Sequence, residues 1–254
     1  MSSANVPHVS TPRPRTIVYI DGLNFYYGAV AKFPELKWVD FEKFARLLVP
    51  NDDLIKVRYF TAQVKPRYPG DRSSERQNVL LRAVRTNPLI EVELGHFRAD
   101  VKSRAIAGDR PTRSLFRPHL RPHTVMRGVW WDNARRRAPH EPAMVYVRVM
   151  EEKGSDVNLG AWLVHDALNP AGRLADKAIV VTNDSDLATP LRLARESGVQ
   201  VGLVNPHDTS TARKLRTAAD FEIPFRREAL AKCQLPNVVR TSKGKEIHRP
   251  AAWR

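Results

Sequence analysis

The chain has 254 residues, of which 42% are hydrophobic, enough for one sizeable domain with a buried core. Its 42 Lys and Arg against 27 Asp and Glu give a formal charge of +15, which indicates a phosphate-rich partner or an acidic membrane surface. The single cysteine, Cys233, excludes a disulfide framework and a cysteine-based zinc site. No apolar run approaches the ~20 residues that span a bilayer, and we expect a cytoplasmic protein without a membrane anchor.

The first elements begin with a polar, Pro-containing segment over residues 1–15, which carries two Arg and no acid and predicts a flexible basic arm. A short apolar run over residues 17–20 predicts a buried strand that ends at Asp21. Asp40 has the position and residue type of a helix N-cap. The spacing after it predicts an amphipathic helix with its apolar face formed by Phe41, Phe44, Leu47 and Leu48.

The next stretch predicts another strand, helix and strand. Residues 54–60 form a second apolar run, and residues 90–97 alternate in the manner of a third strand. Between them, the spacing of Ser74 and Gln77 fits a capping box before a helix that reaches about Asn87.

Residues 98–140 differ in composition from the rest of the chain. They hold eleven Lys and Arg against three Asp, a local net charge of +8. Repeated Arg-Pro steps argue against regular structure, because proline removes a backbone donor. We expect a basic insertion here, a hairpin or a loop at the mouth of the site.

The second half of the chain continues the alternation of strands and helices. We expect strands over residues 144–150, 178–182, 199–204 and 221–223, and helices over 156–168, 186–197 and 210–218. From Arg226 onward a basic tail carries eight Lys and Arg against two Glu. Such alternation favours a doubly wound, mainly parallel α/β sheet.

Acidic residues follow two of the predicted strands directly. Asp21 closes the first, and Asp184 and Asp186 follow the strand over 178–182. In an open α/β sheet the carboxyl ends of strands form the ligand-binding edge, and grouped carboxylates suit Mg²⁺ or Mn²⁺. Such ions can activate water and stabilise the developing charge in phosphodiester hydrolysis. The alternative is that Asp184 or Asp186 is only an N-cap.

Two further residues, Asp156 and Asn24, qualify as candidates for the site. Asp156 follows Gly154 and Ser155 and opens a predicted helix, so that it is either a ligand or an N-cap. Asp166 lies ten residues further along that helix, a rise of about 15 Å, and we expect a structural role for it. Asn24 could orient a water or a phosphate, and the alternative is a local turn hydrogen bond.

The motifs around these acids resemble those of a known family. Tyr-Ile-Asp21-Gly-Leu-Asn24, Glu-Lys-Gly-Ser-Asp156-Val-Asn-Leu and Thr-Asn-Asp184-Ser-Asp186-Leu resemble the NYN family (LabA-like proteins) of the PIN-like nuclease superfamily, over about residues 16–225. The resemblance implies a three-layer α/β/α sandwich with a mainly parallel, Rossmannoid PIN-like sheet. It also implies Mg²⁺- or Mn²⁺-dependent cleavage of RNA, with Asp21, Asp156, Asp184 and Asp186 as metal ligands and Asn24 beside them.

The leading functional prediction is therefore a metal-dependent endoribonuclease acting on single-stranded RNA. Lys153 and the run Arg135, Arg136 and Arg137 are the candidate nucleic-acid contacts, because each could bind phosphate without reading sequence. Two alternatives stay open: an RNA-bound adapter with little turnover, and a structure-selective DNase. A homo-oligomer also stays open.

Overall fold

The computed structural model of this chain describes residues 12–66, 68–105, 144–169, 172 and 174–254. The chain forms two compact units, residues 1–97 with 152–254 and residues 98–151. The basic arm up to residue 11 and the predicted insertion from residue 106 to 140 lie outside the described residues. Across the described ranges, every helix is too short or too polar to cross a membrane.

Seven strands form one mainly parallel sheet in the order β4-β3-β2-β1-β5-β6-β7. Parallel pairing joins β1 to β2 and β5, β2 to β3, β5 to β6, and β6 to β7. The predicted α/β class with a mainly parallel sheet is confirmed. The strands are β1 (Arg15–Asp21), β2 (Asp53–Ala62), β3 (Ile90–Ala105), β4 (Met144–Lys153), β5 (Lys177–Val181), β6 (Gln200–Val204) and β7 (Phe221–Glu222).

The helices alternate with these strands, as predicted, although some begin at other residues. The predicted helix over 186–197 starts with a 3-10 turn at Ser185–Leu187, and the one over 210–218 starts at Arg213. A π-helical turn, Tyr26–Val30, directly follows the first helix. The α-helices are α1 (Gly22–Phe25), α2 (Phe41–Leu48), α3 (Ser73–Val84), α4 (Ser155–Ala167), α5 (Ala188–Glu196) and α6 (Arg213–Ala218).

Strand β1 lies in the middle of the core because both of its faces are buried. Val18 and Ile20 belong to one hydrophobic cluster, which includes residues of α2 and α3. Ile17 and Tyr19 belong to a second cluster, which includes residues of α4, α5 and α6. Successive side chains of a strand point to opposite faces, so this continuous apolar run is what a strand buried on both sides requires.

Helix α2 follows its predicted pattern except at one residue. The Asp40 carboxylate accepts a hydrogen bond from the Lys43 backbone N–H at 3.1 Å and is the predicted N-cap. Phe41 and Phe44 are buried, but Leu47 is 51% exposed. The prediction that Leu47 shares the buried face is wrong, because its position in the last turn points to solvent.

The predicted capping box at Ser74 and Gln77 is wrong. Helix α3 begins one residue earlier, at Ser73, whose backbone N–H donates to the Asp71 carboxylate at 3.0 Å. Gln77 instead contacts the end of β2. Its side-chain oxygen accepts from the Val64 N–H at 2.8 Å, and its amide donates to the Ala62 carbonyl at 2.9 Å. The Gln77 side chain, which the sequence motif predicted to cap the helix, therefore makes a tertiary contact with the end of β2 instead.

Within the second unit, β3 continues to Ala105, beyond the predicted end at Phe97. Residues 98–105 contain no proline, so nothing interrupts their backbone hydrogen bonds. Lys102 pairs with Glu151, and Arg98 pairs with Asp100 at 2.9 Å. The expected absence of regular structure is wrong for this first part of the basic segment.

A buried ion pair lies in the second hydrophobic cluster. The Arg58 guanidinium contacts the Asp166 carboxylate twice, with Nε to Oδ2 at 2.8 Å and Nη2 to Oδ1 at 3.1 Å. The Tyr19 hydroxyl donates to the same carboxylate at 2.8 Å, and the guanidinium lies 3.9 Å from the centre of the Trp162 ring. Asp166 therefore has the structural role that its position in the helix predicted.

Residues 226–254 belong to the first unit and pack on its core. The Trp38 indole N–H donates to the Pro236 carbonyl at 2.8 Å, and the Trp253 ring lies 6.3 Å from the Trp38 ring. A two-stranded antiparallel hairpin, β8 (Val238–Arg240) with β9 (Glu246–His248), lies between these contacts. Buried aromatic contacts of this kind attach the basic C-terminal segment to the core.

Candidate active site

The carboxyl ends of β1 and β5 lie side by side because these strands are parallel neighbours, with Ile20 paired to Val181. The next residues are therefore brought together, Asp21 from β1 and Thr182 from β5. The Thr182 hydroxyl donates to Asp21 Oδ2 at 2.9 Å and accepts from the Asp184 backbone N–H at 3.1 Å. One buried hydroxyl thus connects two of the predicted acids.

Asp21 is held by hydrogen bonds on both carboxylate oxygens. Oδ2 accepts from Thr182, and Oδ1 accepts from the Asn24 backbone N–H at 3.0 Å, which makes Asp21 the N-cap of α1. The side chain is almost fully buried, and burial raises its pKa even though these hydrogen bonds act to lower it. The carboxylate is therefore oriented before any ligand arrives.

Asp184 caps the 3-10 turn that follows β5. Its Oδ1 accepts from the Asp186 backbone N–H at 3.0 Å, so the N-cap interpretation is confirmed for this residue. Asp186 is exposed in the first turn, where the ends of peptide dipoles favour negative charge. A single hydrogen bond occupies part of one carboxylate, and Asp184 keeps lone pairs that could accept from a ligand.

Asp156 lies in the first turn of α4, after Gly154 with a φ of +97°. The N-cap interpretation of Asp156 is wrong, because Gly154 occupies that position without a side-chain cap. Burial, followed by the negative charges of Asp21 and Asp184, raises the pKa of Asp156 to about 7. The charges of Glu152 and Asp186 act in the same direction. The carboxylates of three separate chain segments therefore lie within electrostatic reach of Asp156.

The donor set fits a hard divalent cation in its chemistry, since Mg²⁺ and Mn²⁺ prefer carboxylate and amide oxygens. Burial and then the neighbouring carboxylates raise the pKa of Asp156, and a bound cation would oppose that rise. In the described part of the chain, however, no three acidic, histidine or cysteine side chains stand close enough together to hold one ion. Coordination by Asp21, Asp156 and Asp184 together would need side-chain rotation.

Asn24 links three segments at the edge of this cluster. Its Oδ1 accepts from the Asn183 backbone N–H at 3.0 Å and lies 2.9 Å from His207 Nε2. Both partners are distant in the chain, so the side chain makes long-range contacts in addition to a local hydrogen bond with Asp21. The two contacts of Oδ1 set the orientation of the amide.

The sequence interpretation missed His207 and Glu152. His207 follows β6 at the same edge of the sheet as Asp21, and burial lowers its pKa. Gly28 allows this approach, because a Cβ there would lie 2.9 Å from the ring. The rule that ligand sites lie beyond the carboxyl ends of strands could have found His207.

Asp166, for which the sequence predicted a structural role, belongs to the buried ion pair with Arg58. Lys153 is exposed just before α4. Arg135, Arg136 and Arg137 lie outside the described residues, so their role as phosphate contacts stays a prediction.

Replacing Asp156 by Asn is expected to stabilise the metal-free protein. A carboxyl whose pKa rises from 3.8 unfolded to about 7 folded costs stability increasingly as pH rises through that window. The gain in melting temperature over wild type should therefore grow between pH 4 and pH 7 and level off above it. Thermal unfolding in EDTA measures this, with the exposed Asp53→Asn as control. An equal melting temperature at pH 8 would contradict the coupling.

The chain is similar to known proteins along most of its length. A family model described as the NYN domain matches residues 128–225, a range that holds Asp156, Asp184 and Asp186. The chain is also 30% identical over 269 residues to the 6-hydroxy-3-succinoylpyridine 3-monooxygenase HspA of Pseudomonas putida, covering 94% of this chain and 75% of that protein. The chain belongs to the NYN-domain family. NYN domains are generally nucleases, which supports a hydrolase that binds nucleic acid.

A solved structure that partly matches this chain comes from Vibrio parahaemolyticus. The protein of unknown function VPA0982 is 14% identical, with a TM-score of 0.46, covering 85% of this NYN protein and 96% of that chain. The predicted resemblance to the NYN family is confirmed over residues 128–225 by the family model. The family model begins after Asp21 and Asn24, and their place in the site depends on β1 pairing with β5.

Proposed function

We propose that this NYN protein is a metal-dependent endoribonuclease of the LabA-like branch of the PIN-like superfamily. The observation that carries the proposal is the meeting of Asp21 and Asp184 at the Thr182 hydroxyl, with the pKa of Asp156 raised by burial and then by their charges. Carboxylates that lie near one another repel at a cost in stability, which a bound divalent cation would offset. Family membership supports the same class of reaction.

Asp21, Asp156, Asp184 and Asp186 are the proposed ligands of one or two Mg²⁺ or Mn²⁺ ions. Such an ion supplies Lewis-acid stabilisation of a phosphate and a lower pKa for attacking water. The protein's own part is positioning: hydrogen bonds from Thr182 and Asn24 hold the Asp21 carboxylate. Asn24 is proposed to orient a water or a phosphate beside these acids, and its contacts with Asn183 and His207 support that role.

The proposed substrate is single-stranded RNA, held through its phosphates. The formal charge of +15 supports a polyanionic partner, and Lys153 with Arg135–Arg137 are the proposed contacts. Binding of this kind releases counterions, and affinity should fall steeply as salt is raised. The proposed location is the cytoplasm, where a lone thiol such as Cys233 stays reduced.

The proposal extends to the fold class, a PIN-like three-layer α/β/α sandwich. Its support is the division of the core into two clusters on opposite faces of β1. Residues of α2 and α3 belong to one cluster, and residues of α4, α5 and α6 belong to the other. A sheet covered by helices on both faces is the arrangement that parallel strands require.

The test is cleavage of a labelled single-stranded RNA by the purified chain with Mn²⁺, Mg²⁺ or EDTA. The endoribonuclease proposal expects internal cleavage with either ion and none with EDTA. RNA binding that EDTA does not change, without product, would select the RNA-binding adapter instead. Preferential cleavage of DNA flaps in competition with RNA would select the structure-selective DNase.

A second candidate is aromatic-ring hydroxylation, favoured by the similarity to HspA over 94% of this chain. Its test supplies 6-hydroxy-3-succinoylpyridine, O₂ and a reduced nicotinamide or flavin as electron donor. Oxygen uptake together with a product retaining one oxygen atom from O₂ would support this candidate. Uptake equal to that without the pyridine would reject it.

His207 is proposed as a positioning residue through its contact with Asn24. His207→Leu should lower the rate constant for RNA cleavage about tenfold with little change in KM, because the Asn24 amide loses one of its two donors. His207→Gln keeps an N–H donor and should restore most of the rate. Equal loss in the two variants would show a structural role only.

A further inference from the structure

Two neighbouring tyrosines form an exposed aromatic pair on the π-helical turn after α1. Tyr27 is 61% exposed and Tyr26 is 38% exposed, whereas Phe25, Ala29 and Val30 of the same segment are buried. The segment therefore anchors one face in the core and presents two rings to solvent. π-helical turns are uncommon and occur frequently at functional sites.

The pair has a defined geometry and a cationic surrounding. The ring centres lie 5.2 Å apart at an interplanar angle of 79°, an edge-to-face contact. Lys37 Nζ lies 5.3 Å from the centre of the Tyr26 ring and 3.5 Å from its hydroxyl. Among the described residues, neither Lys37 nor the exposed Lys32 pairs with a carboxylate, so both charges remain available to a polyanion.

The aromatic pair is continuous with the candidate active site. Tyr27 lies three residues after Asn24, and residues three apart on a helical segment are neighbours on one face. Asn24 itself contacts Asn183 and His207, and its backbone N–H donates to Asp21. The tyrosines therefore belong to the same short segment that places Asn24 beside Asp21.

We propose that Tyr26 and Tyr27 form a stacking platform for a base of single-stranded RNA, next to the phosphate at the acidic cluster. The inference rests on the proposed endoribonuclease function and names how that site holds its substrate. Every base has a π-face, and the platform gives affinity without sequence preference. Lys32 and Lys37 supply the backbone charge that such platforms use.

The experiment measures binding of a 5′-labelled oligouridine and of the same oligomer with abasic riboses, to the full chain in EDTA. Wild type should bind the oligouridine about tenfold more tightly than the abasic oligomer, the scale of one stacked base. Tyr27→Leu should remove this difference, whereas Tyr27→Phe should keep it. Leu47→Ala is the matched control, since it removes an exposed apolar side chain from the last turn of α2.

The outcomes separate the platform from the function on which it rests. Equal affinity of wild type for both oligomers, or an unchanged difference in Tyr27→Leu, overturns the platform while RNA cleavage by wild type stands. Absence of any RNA binding and cleavage by wild type overturns both. The melting temperature of Tyr27→Leu shows whether this variant is folded. If it equals that of wild type, a loss of binding is due to the missing ring.

Discussion

Cleavage of RNA with Mn²⁺ is expected to fall about 100-fold or more when Asp184 is replaced by Asn. The substitution removes one negative charge from the cluster and keeps the size of the side chain. A cation contributes several kcal/mol to transition-state stabilisation in such hydrolases, and each 1.36 kcal/mol is tenfold in rate. The amide oxygen of Asn can still accept from the Asp186 N–H, so the turn after β5 should persist. Initial rates at saturating RNA measure the loss.

Asp53→Asn is the matched control for this prediction. Asp53 is an exposed acid at the first residue of β2, at the end of the sheet opposite to Asp184. It makes the same change of charge on the whole chain, and its rate should equal that of wild type. A variant Asp184→Asn that cleaves as fast as Asp53→Asn would reject the catalytic assignment. Raising Mn²⁺ tenfold should recover part of the lost rate if Asp184 acts as a ligand.

Replacing Arg58 by Met is expected to lower the free energy of unfolding by about 3–5 kcal/mol. The substitution leaves the Asp166 carboxylate, which is 3% exposed, without its bidentate cation. The Tyr19 hydroxyl remains as a donor and His165 Nδ1 lies 3.2 Å from Oδ1, but these contacts do not replace the bidentate guanidinium at a buried charge. Such a loss is a large fraction of the roughly 5–15 kcal/mol that stabilises a typical domain. Denaturant unfolding at pH 7 measures it.

The double variant Arg58→Met with Asp166→Asn separates the buried charge from the packing. It removes both charges and keeps an acceptor for the Tyr19 hydroxyl, so stability should return most of the way to wild type. Arg192→Met is the control, because its partner Glu196 is 54% exposed and surface pairs contribute about 0–1 kcal/mol. An Arg58→Met effect no larger than that of Arg192→Met would contradict the buried-pair account.

Residues near one another in the chain were predicted well. The apolar run before Asp21 indicated a buried strand, and the run over residues 178–182 indicated a further core strand. Asp40 indicated the start of α2. These features depend on the backbone and on side-chain periodicity, both of which are local. The prediction at Gln77 failed because a contact with β2 competes with the local cap.

The sequence by itself determined that acids would stand at the ends of parallel strands, because a strand's direction and its following turn are local properties. Only the tertiary structure decided which distant groups surround them. Asn24 and His207 are 183 residues apart, and Arg58 and Asp166 are 108 apart. Their meeting depends on the strand order β2-β1-β5-β6 and on helix packing, which no spacing along the chain specifies. The packing of Trp253 on Trp38 is another long-range contact of this kind.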